Sequence, residues 1–339
     1  MLIIGQENID SPIEIIADNG SIYAVAFSTD GEHLLSGGDG NVEVWRVEDA
    51  KKIATMEVTR GDDVQCLAVS KDGRWIAAGT DEGEVYVWDA ETREQVWSHR
   101  EDTRDINAVD FSSDSTRLVS GSDNTKAAVF DIATRKRVQT LDHQSGVFAA
   151  KYSPQGDQIA TGTNDSIRVW DSNDGHLLMT IKVGVTPYFN TGLLWSDNHL
   201  FTISDSKIKQ LEASTESAIS EWPVPNGNRR SCIALPKHGK FIACASQRTA
   251  TFWDTTTHTQ FSLIEHTQDI HSVAISPDDR FIAIGGQQGN IIIRHLAHIT
   301  VCFVIVGSRL SKQFYWLSVV YSPASTGRAT SDLGREQDA

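Results

Sequence analysis

The sequence lacks most of the features that mark membrane, secreted, metal-binding or catalytic proteins. No apolar run reaches the roughly 18 residues of a membrane-spanning helix, and the first residues, MLIIGQENID, lack the basic and apolar regions of a secretory signal. The 4 cysteines have no metal-ligand spacing, and phosphate-binding loops, nucleophile elbows and zinc-protease motifs are missing. We therefore expect an intracellular protein, cytoplasmic or nuclear, with no cofactor, no metal and no enzymatic activity.

Basic charge is also scarce. The chain has 30 Lys and Arg against 45 Asp and Glu, for a formal net charge of −15. Proteins that bind nucleic acid usually carry a basic patch, so nucleic acid is not an expected partner. An acidic surface instead attracts basic partners at long range.

What the chain does contain is one six-residue motif, called the phrase, that is repeated seven times. The phrase ends in a bulky aromatic residue and an acid in its best copies, and it recurs every 40 to 43 residues as NVEVWR, EVYVWD, KAAVFD, SIRVWD, KIKQLE, TATFWD and NIIIRH. Each unit also holds two earlier apolar runs and a looser later one, separated by Asp, Gly and Ser. Alternating apolar residues and tight-turn pairs predict four antiparallel strands per unit, and this period is typical of a β-propeller blade. Helical repeats would need segments with 3.6-residue periodicity, which are missing.

The closing dipeptide of the phrase resembles that of a known family. Trp88–Asp89, Trp170–Asp171 and Trp253–Asp254, with Phe130–Asp131 as a variant, look like the signature of WD-repeat β-propellers, the β-transducin-like repeat proteins. The resemblance extends over most of the chain. It implies an all-β, seven-bladed propeller of four-stranded antiparallel blades, closed by an N-terminal strand. It does not specify a function, because this fold supports many.

The repeats also predict how the chain is divided. The propeller is expected over residues 1–298, with repeats at approximately 20–60, 61–102, 103–144, 145–184, 185–225, 226–266 and 267–298, and a closing strand at 11–19. Residues 299–339 are expected to form an atypical tail, partly apolar and then polar and disordered. The apolar stretch at 299–306 competes with the N-terminal segment for the edge of the seventh blade. The tail is either the remnant of a longer repeat array or a family-specific addition.

The family resemblance further implies a buried hydrogen-bonded set of side chains within a blade. Only the fourth unit carries all four of its residue types, at His143, Thr161, Asp165 and Trp170. We interpret this set as structural, because it would hold the turns of the blade in place.

Partners of this family commonly bind around one opening of the central channel. The residues at and just before the start of each first strand should point there, and the predicted partner-binding residues are Tyr23, Asp63, Gln65, Asp105, Asn107, Phe148, Phe189, Arg229, Asp269 and His271. Aromatic residues in a polar rim are typical of interfaces, and carboxylates would select a basic peptide. The aspartates could equally serve turn chemistry alone.

The function predicted from these features is a non-enzymatic interaction scaffold or adaptor. It would be a monomer by itself and would bind a protein or peptide at the mouth of the propeller, where the acidic charge suits a basic one. Two alternatives remain open at this point. One is a regulatory module cut from a larger multidomain repeat protein, and the more remote one is an enzyme with a site in the channel.

Overall fold

The computed structural model describes residues 12–18, 20–59, 61–100, 104–185, 192–197, 199–214, 218–224 and 231–299. Within these residues the chain forms strands and one 3₁₀ turn at Leu296–His298. The strands are β1 (Ile13–Ile16), β2 (Ile22–Phe27), β3 (His33–Gly38), β4 (Asn41–Arg46), β5 (Lys51–Glu57), β6 (Val64–Val69), β7 (Trp75–Thr80), β8 (Glu84–Asp89), β9 (Gln95–Arg100), β10 (Ile106–Phe111), β11 (Arg117–Ser122), β12 (Lys126–Asp131), β13 (Lys136–Asp142), β14 (Ala149–Tyr152), β15 (Gln158–Gly162), β16 (Ile167–Asp171), β17 (Leu177–Ile181), β18 (Leu193–Ser196), β19 (His199–Ser204), β20 (Lys207–Glu212), β21 (Ala218–Pro223), β22 (Cys232–Ala234), β23 (Phe241–Ser246), β24 (Thr249–Asp254), β25 (Gln260–Glu265), β26 (Ile270–Ile275), β27 (Phe281–Gly286) and β28 (Asn290–His295).

These strands form seven four-stranded antiparallel sheets, one for each repeat. Blades 1 to 6 take four consecutive strands each, starting with β2–β5, and blade 7 contains β26, β27, β28 and β1. The first strand of each blade is innermost and lies beside the first strands of both neighbouring blades, from β2 round to β26 and back to β2. The predicted seven-bladed propeller is therefore confirmed as a closed ring.

The sheets bury their faces against one another because a single blade cannot cover its own. The three inner strands of most blades are almost continuously apolar and buried, as at Val85, Val87 and Trp88 of β8. The fourth strands face solvent, and their side chains alternate between exposed and covered. Stacking of neighbouring blades supplies the missing cover, so each hydrophobic cluster contains side chains from two blades or more.

Close approach between blades depends on glycine near the end of the second strand. A Cβ atom on Gly79 would lie closer than 3.0 Å to Ile106 of the next inner strand, and Gly121 meets Val147 in the same way. Glycines 37, 162 and 285 repeat this contact with their following blades. The equivalent positions in blades 5 and 6 hold Ile203 and Ala245. Five of the seven blade junctions therefore require a residue without a side chain.

The N-terminal strand closes the ring. β1 pairs antiparallel with β28, with Ile13 opposite Ile293 and Ile16 opposite Asn290. The predicted closure of the ring by an N-terminal strand is thus confirmed, and β1 occupies the edge of β28 for which the tail was expected to compete. Residues 300–339, which include nearly all of the predicted tail, lie outside the described residues.

Candidate functional site at the mouth of the channel

Strand direction decides which residues share one end of the ring. Each inner strand starts at the end of the ring where the second strand finishes, because neighbouring strands are antiparallel. The loops between blades and the turns between second and third strands therefore lie together around one opening of the channel, which we call the mouth. The turns between first and second strands, and between third and fourth, lie at the opposite end.

Four of the predicted residues are bulges in the inner strands. The pairing of β2 with β3 shifts register between Ile22 and Ala24, so Tyr23 is the extra residue of a β-bulge. The same irregularity leaves out Gln65, Asn107 and His271 in blades 2, 3 and 7. A bulge redirects the side chain of its extra residue, and bulges are common beside functional sites. The sequence located these positions by counting from the repeat but gave no sign that they were bulges.

Tyr23 and His271 form an aromatic pair across the junction of blades 1 and 7. Their rings are parallel within 1° and their centroids lie 5.7 Å apart. His271 is only 3% exposed, whereas Tyr23 is half-buried. Burial raises the pKa of Tyr23, and the carboxylates of Asp63, Asp39 and Asp81 raise it further, against the opposing effect of a hydrogen bond with Ser21. Tyr23 thus lies in an acidic environment, with its ring parallel to that of His271.

Asp63 and Asp81 are tied together at the mouth end of blade 2. The backbone N–H of Asp63 donates to Oδ1 of Asp81 at 2.7 Å, and the Asp63 carbonyl accepts from the N–H of Asp81 at 3.0 Å. Burial raises the pKa of Asp63 to about 6, with further contributions from Asp81, Asp39 and Asp62. Two carboxylates are therefore held close by backbone geometry although their charges repel.

Further carboxylates near Asp63 and Asp81 extend the acidic surface of the mouth over blades 1 to 3. We call the group formed by Asp39, Asp62, Asp63, Asp81, Asp105 and Asp123 the acidic sector. Burial also raises the pKa of Asp62, assisted by Asp81, and that of Asp105, assisted by Asp123. The carbonyl of Asp105 accepts from the N–H of Asp123 at 3.0 Å, which repeats the arrangement seen in blade 2.

Four members of the acidic sector were missed by the sequence reasoning. Asp39, Asp81 and Asp123 lie in turns between second and third strands, in GDG, DEG and SDN. Because those turns share the mouth with the starts of the inner strands, strand order alone could have placed them there. Asp62 could have been found in the same way, since it precedes the predicted Asp63.

The remaining predicted residues differ in exposure. Asn107 is only 9% exposed and donates from Nδ2 to Oδ1 of Asp123 at 2.8 Å and to the carbonyl of Val147 at 3.2 Å, so it connects blades 3 and 4. Phe148 is half-buried against the core of blades 4 and 5. Asp269 pairs with Arg248 at 3.3 Å.

Two of the predicted partner-binding residues cannot be placed, and the others differ in how much of their surface is exposed to solvent. Phe189 and Arg229 lie outside the described residues. Contact with a partner stays a prediction for all ten positions. Tyr23, Asp63, Gln65, Asp105 and Asp269, each half-buried, retain partial exposure at the mouth.

The residues predicted as a structural set in blade 4 are partly connected. Trp170 donates from Nε1 to the Thr161 hydroxyl at 2.7 Å, and that hydroxyl lies 2.8 Å from Nε2 of His143. The Leu141 carbonyl, 3.0 Å from Nδ1, can only accept, so Nδ1 carries the hydrogen and Nε2 accepts from Thr161. Asp165 instead accepts from the hydroxyls of Thr163 and Ser166 in the adjacent turn.

Features of other kinds of site are few in the described part of the chain. It holds no group of three or more His, Cys, Asp or Glu side chains placed to bind a metal ion. Its cysteines, Cys66, Cys232 and Cys244, are buried and not joined in disulfides, and burial raises the pKa of the Cys66 thiol to about 12. No helix among the described residues is long and apolar enough to cross a membrane.

Comparison with known proteins agrees with this architecture. The chain is 38% identical over 80 residues to WD repeat and SOCS box-containing protein 1 of Xenopus tropicalis, a match to 23% of this chain and 18% of that protein. It is 24% identical over 228 residues to the transcriptional corepressor LEUNIG_HOMOLOG of Arabidopsis thaliana, a match to 65% of this chain and 23% of that protein. A third relative, transcription factor unc-37 of Caenorhabditis elegans, is 24% identical over 172 residues, a match to 50% of this chain and 28% of that protein.

The chain thus matches less than a third of the length of each of these three relatives. The family model for the IFT122 first beta-propeller matches residues 21–295, which contain all seven repeats except the closing strand. This WD-repeat chain therefore belongs to the family of the IFT122 first beta-propeller.

Proposed function

We propose that the protein is a non-enzymatic scaffold that binds a protein or peptide partner at the mouth of its propeller. The observation that carries the proposal is the acidic sector, where carboxylates are held together at the mouth despite their repulsion. Burial raises the pKa of Asp63 to about 6, so ionising this carboxyl costs more in the folded protein than ionising an ordinary aspartate does. Groups with strongly shifted pKa values cluster at functional sites.

A scaffold suits these features better than an enzyme does. Catalysis by a paired acid and base needs both groups placed around a reacting group of the substrate. The partly exposed residues at the mouth instead suit contact with a macromolecule. The half-buried ring of Tyr23 beside exposed and half-buried carboxylates resembles an interface anchor with a charged rim. Two relatives are a transcription factor and a transcriptional corepressor, which supports an intracellular protein with protein partners.

Affinity capture from cells, followed by mass spectrometry, tests this function. We expect partners of the wild-type protein to be lost from a Tyr23→Ala, Phe148→Ala variant, because it removes two aromatic side chains from the mouth. The matched control is Val138→Ala with Leu178→Ala, since those two side chains are each 48% exposed on the outer strands of blades 3 and 4. Thermal unfolding of each variant establishes that it is folded. Partners that survive the mouth variant but not the control would place the binding surface on the sides of the blades instead.

A further inference from the structure

A groove lies between blades 2 and 3 at the end of the ring opposite the mouth. Its volume is about 420 Å³, and its lining comes from the turns of both blades at that end and from the outer strand β9. Binding pockets usually have volumes of roughly 300–1,000 Å³. The groove is therefore large enough to accept side chains of a bound segment.

Part of the groove lining is apolar. Trp75, Val96, Ile132 and Ala133 contribute to it. Trp75 and Val96 are half-buried and pack against the hydrophobic core that blades 2 and 3 share, and Ile132 belongs to that core. Because Trp75 and Val96 keep some contact with solvent, an apolar side chain placed on them would remove further apolar surface from water.

Two arginines line the same groove. The guanidinium carbon of Arg74 lies 5.1 Å from the centroid of the Trp75 ring. Stacking on an aromatic ring uses the face of a guanidinium and leaves the N–H groups at its edge available to a carboxylate. Arg135 is exposed in the turn that follows β12. Among the described residues, neither arginine has a carboxylate within ion-pairing distance.

The two aspartates of the groove are engaged with their own turns. Oδ1 of Asp72 accepts from the Ser70 hydroxyl at 2.6 Å and from the backbone N–H of Arg74 at 3.1 Å. Oδ1 of Asp114 accepts from the backbone N–H of Thr116 at 3.1 Å and from its hydroxyl at 2.8 Å. Aspartates commonly serve turns in this way. The guanidinium groups beside them are therefore left to pair with carboxylates from outside the chain.

The charge balance at this end of blades 2 and 3 differs from that of the chain as a whole. The turns there hold seven Lys and Arg against six Asp and Glu, whereas the whole chain has 30 against 45. Four of the six acids accept hydrogen bonds from backbone N–H groups of their own turns. A negatively charged segment is thus the complementary occupant of the groove. The residues counted are 70–75, 89–95, 112–117 and 131–137.

From these observations we propose that the groove between blades 2 and 3 docks an acidic segment of a partner protein, in which an apolar side chain lies beside carboxylates. The carboxylates would accept from the N–H groups of Arg74 and Arg135, and the apolar side chain would lie on Trp75 and Val96. This surface is separate from the mouth, so the inference does not rest on the proposed function. With both surfaces occupied, the protein would connect two partners at opposite ends of one ring.

A short labelled peptide is the probe for this groove. It consists of glycine and serine around a central Glu-Leu-Glu, with fluorescein at its N-terminus and an amidated C-terminus. One companion peptide replaces both glutamates with glutamine, and another replaces the leucine with serine. We expect the Glu-Leu-Glu peptide to bind the wild-type protein about five-fold more tightly than either companion, measured by fluorescence anisotropy at low ionic strength.

The net charge of the protein makes this comparison stringent. At a formal net charge of −15, long-range repulsion disfavours the peptide with two glutamates relative to its glutamine companion. A preference for the acidic peptide therefore requires cations at the binding site itself. Equal affinity for these two peptides, or tighter binding of the glutamine peptide, would overturn the proposal.

Variants then locate the binding. Arg74→Gln with Arg135→Gln should abolish the preference for the acidic peptide. Arg100→Gln with Lys126→Gln is the matched control, because it removes two exposed cations from the same two blades at the mouth end. Thermal unfolding of each variant establishes that it is folded. If the control lost the preference as fully as the groove variant, only net charge would matter and the proposed site would be wrong.

The mouth variant separates this inference from the proposed function. Tyr23→Ala, Phe148→Ala should bind the acidic peptide as the wild-type protein does, whether or not it keeps its cellular partners. Loss of the peptide from the mouth variant, with the groove variant unaffected, would place the peptide at the mouth and overturn the inference. Self-association of the wild-type protein in sedimentation velocity that disappears in the groove variant would instead assign the groove to a second copy of this chain.

Discussion

Aspartates at the two ends of the ring have opposite electrostatic character. At the end opposite the mouth, hydrogen bonds hold the pKa of Asp114 and Asp254 below the ordinary value. The donors are the Ser112 hydroxyl to the first, and the Thr257 backbone N–H to the second. In the acidic sector, burial and like charges raise the pKa of Asp62, Asp63 and Asp105 instead. Asp114 and Asp254 at the far end stabilise the fold when ionised, whereas ionising the three raised aspartates at the mouth weakens it. Such a difference favours a binding role for the second group.

The end of the ring at which an aspartate lies does not by itself decide whether its pKa is raised or lowered. Asp165 lies in a mouth turn of blade 4, yet its pKa is lowered, first by a hydrogen bond from the Thr163 hydroxyl. The acidic sector differs because its aspartates receive few donors and have acids as neighbours. Hydrogen-bond donors in the same turn therefore distinguish a carboxylate that stabilises its turn from one that is a candidate for binding a partner.

The largest expected effect concerns His143, which lies at the mouth in the loop between blades 3 and 4. Burial lowers the pKa of His143 to about 4, from 6.5. Between these values the unfolded chain binds a proton that the folded chain does not, so stability is complete above pH 6.5 and is lost as the pH falls toward 4. At pH 5 the loss should be about 2 kcal/mol. Urea unfolding as a function of pH measures it.

A His143→Gln variant isolates this contribution from that of the acidic sector. Asp63 contributes a slope of opposite sign in the same pH range, so the informative quantity is the difference between wild type and variant. The exposed His176→Gln variant serves as the control and should follow the wild-type curve. A difference curve that is flat from pH 6.5 to 4 would contradict the assignment of a neutral, buried His143.

The next largest effect on stability is expected from removing a turn carboxylate at the end of the ring opposite the mouth. Asp254 accepts from the backbone N–H groups of Thr256 and Thr257 at 2.9 and 2.7 Å. Asp254→Ala should lower the free energy of unfolding by about 1–2 kcal/mol at pH 7, because these donors lose their partner. Urea unfolding is again the measurement, with the exposed Glu91→Ala in the matching turn of blade 2 as control. An unchanged stability would mean that water replaces the carboxylate without loss.

The smallest expected effect has the opposite sign. Because the folded pKa of Asp63 lies above its unfolded value of 3.8, the ionised group weakens the fold as the pH rises from 3.8 through about 6, and fully so above that range. Asp63→Asn should therefore stabilise the protein at pH 7.5, by less than about 1 kcal/mol since the site is partly exposed. At pH 3.5 the two proteins should unfold alike. Destabilisation at pH 7.5 would show that the charge of Asp63 supports the fold.

The fold was predictable because its signal is repeated. Seven copies of one phrase fix the strand count, and a segment before the first copy that lacks a unit of its own predicts the closing strand. The site was predicted only in part. Counting from the repeat located Tyr23 and Asp63, but burial depends on neighbouring blades, so Asn107 and His271 could not be recognised as covered. The connection of His143 to Thr161 and Trp170 follows family resemblance, whereas the bonding of Asp165 depends on Thr163 in its own turn.

The bulges at Tyr23 and Gln65, whose side chains stay partly exposed, have a further consequence for how this surface changes over evolutionary time. A residue in the regular ladder has to suit the alternation of its strand, so replacing it affects the packing of two blades. A bulged residue is exempt from that alternation, and its side chain can be exchanged with less effect on the register of the sheet. The mouth can therefore acquire new specificities one blade at a time while the ring beneath it stays the same.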